Sequence, residues 1–129
     1  MQVLKFIAVA ICALALLAAG CGHGRAVHNV DGLVVTPKAN PSADEVAKAI
    51  IRAGGNSFWR ITEAGPGQLV GNRVQGPHTA MITINYTPKT YQIALKESSM
   101  QDGRGGVHQT YNLWVQQLDN QIKFQLGGI

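Results

Sequence analysis

The chain predicts an α+β fold: a helix, a four-stranded antiparallel meander sheet and a second helix, packed as a two-layer sandwich with both helices on one sheet face. Three observations lead there. Two segments repeat their apolar residues at helical spacing. Between them, four segments rich in β-branched and aromatic residues follow one another. The gaps separating those four are a few residues of Gly and Pro, too short for the crossovers that parallel strands require.

The first helix is marked by its ends. Ser42 and Glu45 have the spacing of a capping box, in which each side chain satisfies the other's backbone N–H. Ala43, Val46, Ala47, Ile50 and Ile51 then share a face, and Asp44 and Lys48 form a favourable i,i+4 pair. Acidic residues open the segment, Lys48 and Arg52 close it in keeping with the macrodipole, and Gly54-Gly55 is a natural stop. The helix is expected over residues 42–53.

The strands are expected over Phe58 to Glu63, Gln68 to Gln75, Thr79 to Thr87 and Thr90 to Ser98, with turns at Gly65-Pro66-Gly67, Gly76-Pro77 and Pro88-Lys89. Alternation sends Trp59, Ile61, Val70, Val74, Ile82, Ile84, Tyr86, Tyr91, Ile93 and Leu95 to the core. Arg60, Thr62, Arg73, Thr83, Asn85, Gln92 and Lys96 go to the other face, which an antiparallel sheet can leave in water. The closing helix carries Tyr111, Trp114, Val115, Leu118, Ile122 and Gln125 or Leu126 as its apolar stripe. Trp59, Tyr86, Tyr91, Tyr111 and Trp114 have the periodicity of core aromatics. Ahead of this helix, Gln101 to His108 holds three glycines in four residues and reads as a mobile loop. Residues 22–41, punctuated by Gly and Pro, read as an extended spacer; an edge strand over Val30 to Thr36 is the alternative.

The N-terminus carries the most specific signal. Lys5 supplies a positive charge, residues 6–19 form an apolar run shorter than the roughly 20 residues that span a bilayer, and Leu17-Ala18-Ala19-Gly20-Cys21 ends it. The segment resembles the lipobox of bacterial lipoproteins, although that family usually carries Leu where Ala18 stands. Ordinary secretory cleavage is the alternative. The resemblance implies cleavage between Gly20 and Cys21, a diacylglyceryl thioether on Cys21 and acylation of the new amine. Gly22, in place of the aspartate that retains such proteins in the inner membrane, implies the outer membrane and its periplasmic face. The chain would then divide into a signal peptide (1–20), a lipidated N-terminus and flexible tether (21–41) and a globular domain (42–129). The element order, with Trp59 and the Tyr111-Asn112-x-Trp114 helix start, is similar to small proteobacterial lipoproteins with an uncharacterised α+β domain over residues 42–126. That resemblance bears on fold and location and implies no reaction or ligand.

With Cys12 removed and Cys21 acylated, no thiol remains for a disulfide, so packing alone must hold the domain. Loss of Lys5 leaves ten basic residues against seven acidic ones. That balance suits weak attraction to anionic lipid or glycan and provides no nucleic-acid stripe. The HExxH, GxSxG and nucleotide-binding glycine patterns are absent. Neither Ser57, Ser98 and Ser99 nor Glu63, Glu97, Asp102 and Asp119 form a catalytic spacing. Cys21-Gly22-His23 chelates a metal only with a free amine, His28 gives it no preorganised partner, and His78 and His108 read as surface or capping residues. No metal or cofactor is therefore expected. Gly103-Arg104-Gly105-Gly106 is weighed as an anion nest against a plain connector. The candidate binding face is Arg60, Arg73 and Lys96 with Asn85 and Gln92, able to hold a phosphate, sulfate or carboxylate. The sequence thus reads as a non-catalytic outer-membrane lipoprotein, a periplasm-facing binding or assembly module held to the membrane by its lipid, whose partner is an envelope protein or an anionic envelope component. The alternative is a binder of small anionic ligands, lipid or glycan through the polar face.

Overall fold

Helix α1 (Ala43–Gly55) begins where the capping box places it: Ser42 Oγ accepts from Glu45 N at 3.1 Å, and Glu45 Oε1 accepts from Ser42 N at 3.3 Å. Lys38 Nζ adds an ion pair to Glu45 at 2.8 Å. The buried stripe is Val46, Ala47, Ala49, Ile50, Ala53 and Gly54. The helix runs past its expected stop because Gly54 is a contact surface: a Cβ there would lie 2.5 Å from Ile61 Cδ1. The missing side chain seats α1 directly on the sheet.

The computed structural model describes residues 24–129; the signal segment, the Gly20–Cys21 cleavage site and His23 lie outside the described residues. The strands are β1 (Arg25–Ala26), β2 (Val30–Leu33), β3 (Arg60–Gly65), β4 (Gln68–Gln75), β5 (His78–Tyr86), β6 (Thr90–Ser98) and β7 (Gly106–Val107), followed by helix α2 (Gln109–Leu126). The main sheet has the order β2-β6-β5-β4-β3 with every neighbouring pair antiparallel, and β1 pairs with β7 in a second, two-stranded sheet. The class is α+β, with three meander turns at the expected residues.

The main sheet has five strands, not four. Within the stretch read first as a spacer, the alternative of an edge strand holds over Val30 to Leu33, pairing Val30 with Ile93 and Leu33 with Thr90. Gly32 makes this possible: Tyr91 lies against it so closely that a Cβ would sit 2.2 Å from the ring. The same ring continues to α2, where Tyr91 Oη donates to Asp119 Oδ1 at 2.5 Å. Strand, sheet and helix are thus joined through one tyrosine. Burial and the Asp119 carboxylate both push the Tyr91 phenol well above its ordinary range.

The chain is engaged even earlier, at Arg25. Arg25 and Ala26 face Val107 and Gly106, and Asn112 of α2 clamps the segment by donating from Nδ2 to Ala26 O (2.8 Å) and accepting at Oδ1 from His28 N (2.9 Å). The glycine-rich loop before α2 is ordered by Asp102. Its Oδ1 accepts from Arg104 N at 2.7 Å and Gly106 N at 2.9 Å, and Asp102 N donates to Gly106 O at 3.0 Å. An aspartate two to four residues ahead of its partners closes such a turn through its side chain. One core cluster unites Val46, Ala49, Ile50 and Ala53 of α1, Tyr111, Trp114, Val115, Leu118, Ile122 and Leu126 of α2, and the inward sheet residues Ile61, Leu69, Ala80, Ile82, Ile84, Tyr91 and Ile93.

Candidate functional site

The register sorts the sheet residues into two sets. Cross-strand partners share a face, so the outward set forms rows across β3, β4, β5 and β6. The middle row is Thr62, Val70, Thr83 and Ala94. On one side lie Arg60, Asn72, Met81 and Glu97, with Lys96 at the bulge opposite Met81 and Ile82; on the other lie Gln68, Asn85 and Gln92, extended by Asp31 of β2. All of these residues are exposed or half-exposed. Gln68 Nε2 donates to Asn85 Oδ1 at 3.3 Å, which ties two of the strands along that margin.

Four of the five residues expected on this face lie there: Arg60, Asn85, Gln92 and Lys96. Arg73 does not. It points inward and is 7% exposed, whereas Val74, expected in the core, is 72% exposed. The reason is the β4–β5 hairpin. A tight turn at Gly76-Pro77 pairs Gln75 with His78, which sets Gly71 against Ile82 and Leu69 against Ile84. Loop length fixes register, and a one-residue shift sends every side chain of a strand to the opposite face. Leu69, Gly71 and Arg73 therefore face inward, while Val70 and Val74 face outward.

Among the described residues, Arg73 is housed without a carboxylate partner. Its guanidinium lies 4.2 Å over the Trp114 ring and 5.5 Å from the Phe58 ring. Nη1 donates to Ser57 O (3.2 Å) and Gln117 Oε1 (3.4 Å), and Nη2 donates to Gln75 Oε1 (3.2 Å). Nε is buried without a hydrogen bond, as expected for a group stacked against an aromatic face. Burial pulls the guanidinium below its ordinary range, although an arginine of this kind stays charged. Trp114 is further packed edge-on by Trp59 at 6.3 Å and by His78 at 6.4 Å, and His78 stacks on His108 at 6.0 Å. His108 Nδ1 caps α2 by accepting from Thr110 N at 3.1 Å. Phe58 is the unexpected member. It stands outside β3 with φ of 64° and is 81% exposed, a left-handed conformation that costs a bulky residue about 1–3 kcal/mol.

These placements limit the chemistry. Arg60 and Lys96 stand on strands three spacings apart, about 14 Å, and Arg73 is spent on internal contacts. The expected cations do not converge on one small anion. The nest at Gly103 to Gly106 is likewise filled from within, because Asp102 takes the N–H groups an external anion would use. Those bonds hold the Asp102 carboxyl below its ordinary range. Among the described residues, no three His, Cys, Asp or Glu side chains gather as a metal site, and no helix is long and apolar enough to cross a membrane.

No family model matches this chain, and no curated protein or solved structure does either. Its own N-terminal sequence and the sheet geometry carry the functional reading.

Proposed function

We propose that this chain is a non-catalytic lipoprotein of the outer membrane, anchored through Cys21 on the periplasmic side, whose domain binds another envelope protein. In this reading the domain is a two-layer sandwich: both helices cover the inward sheet residues, and the outward rows form the contact surface. The observation that carries the reading is the distribution of charge on those rows. The middle row of Thr62, Val70, Thr83 and Ala94 is uncharged across four strands, and Arg60, Lys96, Glu97 and Asp31 stand only at the margins. Protein interfaces share this anatomy, with charge depleted at the centre and a polar, charged rim. A small anion would need converging cations, which the spacing of Arg60 and Lys96 does not supply, so a protein surface is favoured over the anionic-ligand reading.

The test pairs Val70→Arg with Thr83→Arg, two outward positions whose side chains do not enter the core. The double variant is expected to melt within a few degrees of the parent and to keep its lipid at Cys21. It is also expected to lose the envelope protein that cross-links to the parent in cells. An unchanged cross-linking pattern would contradict the reading.

A further inference from the structure

We propose that the end of the domain formed by β1, β7 and the loop before α2 rests on the head groups of the bilayer that holds Cys21. The inference deepens the lipid-anchor reading above and rests on it. Its basis is how soon the chain joins the fold. Arg25 pairs with Val107, Ala26 with Gly106, and Asn112 clamps the next turn of chain. Four peptide steps separate Cys21 from Arg25, and whatever its conformation a chain reaches at most about 3.6 Å per residue, or about 14 Å in all. A glyceryl thioether lies beneath a head-group layer roughly 5–8 Å thick. Arg25 is therefore held within about 9 Å of the lipid surface, close to one Debye length at physiological ionic strength.

The strand register determines what accompanies Arg25. At that end β3 and β5 begin, β4 and β6 finish, and α2 starts. It therefore gathers Phe58, Val74 and the Gly76-Pro77 turn with Arg25 and Arg104. The opposite end carries the Pro66-Gly67 and Pro88-Lys89 turns. Phe58 and Val74 are among the most exposed apolar side chains, and the Phe58 ring is turned outward by a left-handed backbone. An exposed Phe ring and Val74 at an end that also carries Arg25 suit a lipid–water interface, with the ring at the acyl boundary and the Arg25 side chain within reach of the phosphates. Asp102 at this end directs its carboxylate onto Arg104 N and Gly106 N, so its charge is partly engaged within the loop.

The experiment uses the full lipidated protein reconstituted into vesicles of phosphatidylethanolamine and phosphatidylglycerol that carry a nitroxide quencher on a fraction of the head groups. Gln109→Cys marks the proposed contact end and Lys89→Cys the far end; each is labelled with a fluorophore. Quenching at residue 109 is expected to exceed that at residue 89 several-fold. A ten-residue Gly/Ser insertion between Gly22 and His23 is expected to remove most of the difference. Equal quenching at the two sites, or a difference unchanged by the insertion, would overturn the inference. The anchor itself is checked separately. The parent protein should take up no label, because Cys21 is blocked, and should show the mass of its acyl chains. A labelled, unacylated Cys21 would overturn the anchor reading and the orientation together.

Discussion

Arg73 shows how one side chain can be mistaken for a ligand group and prove to be part of the packing. A guanidinium is weakly hydrated and planar, so it can cover an indole face while its rim donates to carbonyl oxygens, here those of Ser57, Gln75 and Gln117. Truncation should expose Trp114 and cost stability, whereas an apolar chain of similar length should replace most of the packing. Arg73→Ala is expected to destabilise the domain by about 2–3 kcal/mol and Arg73→Met by less than about 1 kcal/mol, both measured by urea unfolding. Equal losses would indicate that the charge itself is required. Tyr111 makes the opposite case. Its hydroxyl is buried without a hydrogen bond, and burial drives the phenol upward. Tyr111→Phe removes an unpaired polar group from the core and is expected to raise stability by about 1 kcal/mol in the same assay.

At the level of elements, the two helices and the four meander strands were legible because caps, periodicity and turn residues agree there, as at Ser42 with Glu45 and at Gly76-Pro77. The register of β4 was misread, because alternation was allowed to decide it. Val70 and Val74 outweigh Leu69 by hydrophobicity, while the two-residue turn and the mid-strand Gly71, whose Cβ would meet Ile82 Cγ1 at 2.8 Å, demand the other choice. Strand β2 was less legible, an edge strand over Val30 to Thr36 being only the alternative to a spacer, since its pairing depends on a tyrosine ring settling over Gly32 from a strand some sixty residues away. Gly32→Ala is accordingly expected to dislodge β2, reading out as loss of amide protection at Val30 to Leu33 and a stability loss above about 2 kcal/mol. The glycine-rich loop misled for the same kind of reason, because Asp102 supplies the order that its glycines lack. Asp102 has a folded-state pKa below its ordinary value, so the stability it contributes is complete above about pH 5 and fades as pH falls below about 4. The protection factor of the Gly106 amide should fall over that acid range, and Asp102→Ala should remove that protection at neutral pH.

At the scale of the whole molecule, the proposal joins an anchor read from the N-terminal sequence to a surface formed by the outward sheet rows. A chain engaged from Arg25 onward would leave little slack to the lipid proposed on Cys21. The outward sheet rows offer an uncharged centre with Arg60, Lys96, Glu97 and Asp31 around it. The candidate site was legible in part: Arg60, Asn85, Gln92 and Lys96 followed from alternation, whereas the withdrawal of Arg73 and the exposure of Phe58 arose from hairpin register and backbone conformation. The most direct test places a photo-crosslinking residue at Thr83, in the middle of the outward rows, and in separate strains at Lys48 and Phe124 on the exposed surfaces of α1 and α2. The account predicts that one envelope protein is captured from position 83 in living cells and not from positions 48 or 124. Capture from the helix positions alone, with Cys21 acylated and the domain folded, would contradict it.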